Sequence, residues 1–178
     1  FPELNAYTVV GVNHWKAPVD VREKFNVSNE DSEALLDGAE REGIQGLVVI
    51  STCNRTEIFA QDASPHDLVR LLTTYSRGTL KEFRSNGFEF QGQKAVKHLF
   101  KVATGLDSQI LGDLQIVKQV KEGYRLSTQK QMVDGTLHRL MQHLFRAHKR
   151  SRTETSLGDG AATIAYAAVK FATRTFDN

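Results

Sequence analysis
Near Gly92 the apolar residues of this chain change their spacing, and that change restricts the fold more than any other feature of the sequence. Before it, short β-branched runs alternate with helical stretches; after it, only helical spacing remains. Tyr7–Val12, rich in β-branched residues and closed by Gly11 and Asn13, predicts a strand. Val19–Phe25 reads as a short helical turn behind Pro18. Ser28 or Asn29 can cap a helix over Glu30–Glu42, where Ala34, Leu35 and Ala39 recur at helical spacing and Gly43 marks the stop.

Gly46–Ile50 is continuously apolar, as a strand covered on both faces requires. Thr56–Gln61 makes a third strand, Ser64-Pro65 opens a helix to about Arg77, and Phe88–Gln91 is a fourth, short strand. Strand, helix, strand, strand, helix, strand is the order of an α+β unit. It fits a split βαβ (ferredoxin-like) antiparallel sheet with helices on one face. A helical subdomain then follows: Gln93–Thr104, Leu114–Thr128, Thr136–Arg152 and a segment from Ala161 onward. The sheet part thus occupies about residues 1–91 and the helical part about 92–160.

With 178 residues, 40% of them hydrophobic, the chain is long enough for one core or two small ones. No apolar run approaches the roughly 20 residues that span a bilayer, and the N-terminus lacks a signal pattern, so membrane and secretory classes are not expected. The single cysteine makes neither an internal disulfide nor a thiolate cluster for a metal, which points to a reducing compartment. The formal charge is only +2, but residues 138–152 hold Arg139, Arg146, Lys149, Arg150, Arg152 and three histidines with no acid among them. Such a local field attracts phosphates. Arg139, Arg146 and Arg150 share a face of the predicted helix, apart from the apolar Leu137, Leu140, Met141, Leu144 and Phe145.

That one cysteine, Cys53, sits in Ser51-Thr52-Cys53-Asn54-Arg55, directly after an apolar strand. Free cysteine is often a buried small hydrophobe. Here hydroxyls, an amide and a guanidinium flank it at a strand end, the polar setting that lowers a thiol pKa and exposes a nucleophile. His98, on the flank of its helix, would lie at an edge and could assist the thiol if the fold brings it near. His138, His143 and His148 are five apart and rotate around their helix, so they offer no shared metal site. Gly158–Thr163 is a near miss to a dinucleotide fingerprint, better explained as a helix stop and start.

Three motifs then match a known family. Val10–His14 with Ala17-Pro18-Val19 and Arg22-Glu23, then Ser51–Glu57, resemble the N-terminal catalytic domain of glutamyl-tRNA reductase. Ala95–Gly112 resembles the family's second signature, and Lys149–Thr155 its basic third one. The resemblance spans nearly the whole chain. It implies an enzyme that reduces the glutamate on its tRNA to glutamate-1-semialdehyde with NADPH, an entry step to tetrapyrroles and haem.

It also implies residue roles. Cys53 would attack the aminoacyl ester to form a thioester, with His98 as the activity-critical histidine. Thr52, Asn54, Arg55, Ser108, Gln115 and Gln119 would contact substrate, Arg55 pairing with the glutamate carboxylate. Asp113 and Leu114, also expected to contact substrate, stand where the family usually has Glu and Pro, so Asp113 reaches less far and the helix start is freer. On the same resemblance residues 161–178 would begin a connecting helix. The NADPH-binding and dimerisation domains would be absent from an excised fragment, and no cofactor would bind within it. Expected partners are glutamyl-tRNA, a second copy through the missing C-terminal domain, and the aminomutase that takes the semialdehyde. The expected location is the cytoplasm, or a plastid in a plant. The competing expectation is a non-catalytic RNA-binding module of split βαβ type, using Arg139, Arg146 and Arg150 on phosphates with Cys53 merely packed.

Overall fold
The computed structural model describes residues 2–109, 111–113 and 115–155. After a 3-10 turn at Pro2–Ala6 the chain forms β1 (Tyr7–Asn13), α1 (Val19–Phe25), α2 (Asn29–Arg41), β2 (Leu47–Ser51) and β3 (Arg55–Gln61). It continues through α3 (Pro65–Thr74), α4 (Leu80–Asn86), β4 (Gly87–Gln91), α5 (Gln93–Ala103), α6 (Gln115–Gln129) and α7 (Gly135–Glu154). Local chemistry sets most boundaries. Ser28 caps α2 in a reciprocal box with Asp31, and Ser64 caps α3 ahead of Pro65. Helix α3 stops at Thr74, short of the expected Arg77. Helix α4 was not expected; its start is a second capping box, Thr79 with Glu82, a pattern present in the sequence.

The strands form one sheet in the order β2-β3-β1-β4, every neighbouring pair antiparallel. One expectation needs correction: helices cover both faces of this sheet. Val10, Val12, Val49, Ile58 and Ala60 point to one face and pack with Phe25, Leu35, Leu68 and Leu72 from α1–α3. Tyr7, Val9, Val48, Ile50 and Phe59 point to the other, against Leu99 of α5, Val120 of α6 and Met141 of α7. The strands are apolar at successive positions, so each face alone must bury a full row. Burial of one such side chain is worth about 1.5–3 kcal/mol, which makes the helical part a structural cover and no separate appendage.

Two glycines permit close approaches. Helix α6 lies along the β2 edge, where a Cβ on Gly123 would stand 2.1 Å from the Val49 carbonyl oxygen. In β1, Gly11 faces Glu57 of β3, and a Cβ there would fall 2.8 Å from Glu57 Cγ. Gly11 therefore leaves room for a carboxylate inside the sheet. Residues 161–178 and the Gly158–Thr163 segment lie outside the described residues. Among the described residues, no helix is long and apolar enough to cross a membrane.

Candidate active site
The β2–β3 turn is built by Thr52. Its backbone N–H donates to the Arg55 carbonyl at 2.8 Å, and its hydroxyl accepts the N–H groups of Asn54 and Arg55, each at 3.1 Å. This closes a tight turn and leaves Cys53 exposed at its tip. Below the turn, Ser51 Oγ accepts the Val27 N–H at 3.2 Å. Beside it, the His14 N–H donates to the Asn54 carbonyl at 2.9 Å, and Arg22 Nε approaches the Cys53 carbonyl at 3.4 Å. Thr52, expected to contact substrate, thus has a defined structural task in the free chain.

Alternation along β3 sends Arg55, Glu57 and Phe59 to the face covered by α5–α7. Arg55 Nη1 donates to Glu57 Oε1 at 2.8 Å and to Asp107 Oδ2 at 2.9 Å, while Nη2 donates to the Asp107 carbonyl at 2.6 Å. The second Glu57 oxygen, Oε2, meets His98 Nε2 at 2.8 Å. Glu57 is buried within this cluster. Burial alone would push its carboxyl up, yet the His98 and Arg55 charges and hydrogen bonds outweigh that and hold it below the usual carboxylate range. His98 is not at an edge, as its flank position suggested: it is buried, with Phe88 and Phe90 ring centroids at 4.9 and 5.3 Å. The edge expectation failed because the α5 flank faces a buried acid on β3, which helix periodicity alone does not reveal.

Arg55, expected to present its guanidinium to a substrate carboxylate, is 2% exposed and already engaged by two internal carboxylates. Among the described residues the Cys53 thiol has no hydrogen-bond partner; Glu57 joins Arg55 to His98 along β3, the strand that follows the turn carrying the sulfur. Three residues of this cluster had no role assigned from sequence: Glu57, Asp107 and His14. The available signal was charge in a buried strand, since Arg55 and Glu57 share the parity of Phe59. Both His14 ring nitrogens are buried without a hydrogen-bond partner among the described residues. Burial first, then the Arg55 charge, lowers its pKa, against a smaller opposing pull from Asp107.

The remaining expected residues lie on several elements. Ser108 is half-buried next to Asp107. Asp113 Oδ1 accepts the Gln115 N–H at 2.8 Å and so caps the start of α6, and Leu114 lies outside the described residues. Gln115 and Gln119 are exposed on α6; Gln119 and Ser51 line a cavity of about 230 Å³. On α7, Arg139, Arg146 and Arg150 are all exposed, but Arg150 is paired with Glu154 at 2.9 and 3.1 Å. A larger cavity of about 760 Å³ follows β4, lined by Lys16, His66, Arg84 and Phe90 among others, and none of Cys53, Arg55 or His98 borders it.

An antiparallel four-stranded sheet clad by helices on both faces, with an exposed cysteine on the β2–β3 turn and a buried guanidinium–carboxylate–imidazole chain on β3, is an α+β domain. The family model described as glutamyl-tRNAGlu reductase, N-terminal domain, matches residues 10–155, and the chain belongs to that family. It is 38% identical to the glutamyl-tRNA reductase of Flavobacterium psychrophilum, over 96% of this chain and 41% of that protein. Identity to the Desulfatibacillum aliphaticivorans glutamyl-tRNA reductase is 42%, over 94% and 40% respectively. The solved glutamyl-tRNA reductase from Methanopyrus kandleri superposes with a TM-score of 0.76 at 32% identity, covering 96% of this chain and 40% of its own. The chain therefore spans about two-fifths of the length of these relatives.

Proposed function
We propose that this chain is the acyl-accepting part of a glutamyl-tRNA reductase, with Cys53 as the nucleophile. The thiolate adds to the ester carbonyl of glutamyl-tRNA. A sulfur–carbon bond forms, the carbon–oxygen bond to the ribose breaks, and the ribose oxygen takes a proton as it leaves. The exposed Cys53 on the Thr52-built turn, two residues before Arg55 of the buried Arg55–Glu57–His98 chain, is the observation that carries this reading. Glu57 fixes the ring orientation of His98 by binding Nε2, and His98 serves the proton transfers that accompany acyl capture. Arg55 recognises the acidic side chain of the acyl group, exchanging its Asp107 partner for the substrate carboxylate; the shared Nη1 supports this exchange.

The family implies reduction of the thioester to glutamate-1-semialdehyde with NADPH. The residues described here do not fit that cofactor. Among the described residues every strand pair is antiparallel, so the sheet has no parallel βαβ turn to cradle a pyrophosphate. Exposure to glutamyl-tRNA followed by intact-mass analysis should give a glutamyl adduct on Cys53. Cys53→Ser should give none and should lose the slow release of glutamate that thioester hydrolysis produces. Undiminished release by that variant, or a wild-type thiol that stays unmodified, would rule out the thioester route.

A further inference from the structure
Trp15 is the single tryptophan of the chain and, at 64%, the most exposed large apolar side chain among the described residues. Scattered surface hydrophobes need no explanation, but this one is held in a set position beside the nucleophile. Its backbone N–H donates to Asn13 Oδ1 at 3.1 Å. Its indole leans on the His14 ring, with centroids 4.4 Å apart and planes at 42°. His14 is in turn fastened to the Cys53 turn through the 2.9 Å bond from its N–H to the Asn54 carbonyl. The indole meets the His14 ring at a tilt and still opens to solvent. Trp15 and Cys53 each lie one residue from the ends of that bond, so their Cα atoms are at most about 14 Å apart.

A cation reaches the same turn. Arg22 Nε points to the Cys53 carbonyl at 3.4 Å and Nη1 donates to the Ala17 carbonyl at 2.8 Å. No carboxylate among the described residues pairs with this guanidinium, so its charge stays available to an anion near the turn.

We propose that Trp15 is the stacking platform for the 3′-terminal adenine of the aminoacylated tRNA, with Arg22 facing a phosphate of the same acceptor strand. The proposal rests on the reading of Cys53 as acyl acceptor. The ester sits on the ribose of the terminal adenosine, so a carbonyl at the Cys53 sulfur brings the attached base within one nucleotide's length of the turn. Every base has a π-face, and an aromatic ring already in contact with His14 receives it with less ordering than a free one. The Arg22 cation at the Cys53 turn follows the rule that stacking surfaces for single strands work together with phosphate contacts.

Tryptophan fluorescence reads the event directly, because the 178-residue chain has one tryptophan. Uncharged tRNA for glutamate should quench it, and the same tRNA lacking its terminal adenosine should quench far less. Trp15→Ala should raise the glutamyl-tRNA concentration for half-maximal Cys53 acylation by roughly tenfold, with a smaller effect on the saturated rate. Trp15→Phe should recover most of that loss, and Arg22→Gln should flatten the salt dependence of binding. Equal quenching with and without the terminal adenosine, or a Trp15→Ala variant with unchanged concentration dependence, overturns the proposal. Adenosine-dependent quenching in a wild-type chain that never acylates Cys53 would instead sink the acyl-acceptor reading and leave the stacking platform standing.

Discussion
Replacing Glu57 with Gln takes one charge out of a cluster that water barely reaches. Glu57 is 1% exposed, Arg55 2% and His98 8%. The native carboxylate accepts from Arg55 on one oxygen and meets His98 on the other, both at 2.8 Å. Glutamine is nearly the same shape, so the change opens no cavity, and its amide can keep the Arg55 bond only by turning its NH2 toward His98. Arg55 is then buried with Asp107, at 2.9 Å, as its remaining carboxylate. Removing one partner of a buried ion pair costs about 3–5 kcal/mol. The surviving Asp107 contact puts the expected loss near the lower end, about 3 kcal/mol. Urea denaturation should show a lower midpoint at unchanged m value. The double variant Arg55→Gln with Glu57→Gln should lose less than the sum of the single variants, because the orphaned charge is gone. A loss for Glu57→Gln below about 1 kcal/mol, or a strictly additive cycle, would refute the argument that the pair is desolvated and interdependent.

Three further outcomes follow from the same geometry. Gly11→Ala should destabilise by at least about 2 kcal/mol and disturb acylation together with stability, since its Cβ would meet Glu57 Cγ at 2.8 Å; a chain of wild-type melting temperature would show that β1 and β3 can part there at little cost. Cys53→Ser, at an exposed turn tip, should change stability by no more than about 0.5 kcal/mol while abolishing the adduct, and a larger loss in the melting curve would mean that the thiol packs. Acid should weaken the fold in two stages. The folded His14 ring resists a proton that the unfolded chain accepts, so stability falls as pH drops below about 6.5, and His148, lowered first by its own burial, adds to this. Glu57 is held below its ordinary value of about 4.5, so its contribution is intact above that pH and is lost as pH falls further through its folded value. His14→Phe should diminish the upper stage in a series of denaturation curves across pH, and an unchanged upper stage would assign it elsewhere.

Much of this molecule is legible in one dimension because the signals are local. Runs such as Gly46–Ile50 specify strands wherever they end up, Ser28 and Ser64 announce helix starts, and Cys53 at the end of an apolar run marks a polar turn. The resemblance of Ser51–Glu57 and Ala95–Gly112 to one family is equally a property of the string. The helix missed at Leu80–Asn86 was local too; its capping box was simply not read. Period-two alternation even says that Arg55 and Glu57 share a face.

What it cannot say is which face, or what lies against it. Glu57 meets His98 across 41 residues, and Arg55 meets Asp107 across 52. Those pairings exist only because α5 and the turn after it close over the sheet surface that an open sandwich would leave bare. Placement beneath that cover turns a strand arginine, expected to await a ligand, into one held by two carboxylates, and a flank histidine into a buried one. Residue types and their spacing determined the elements and the place of the single thiol at a strand end; burial and charge pairing, which depend on how two layers meet, were decided by tertiary packing alone.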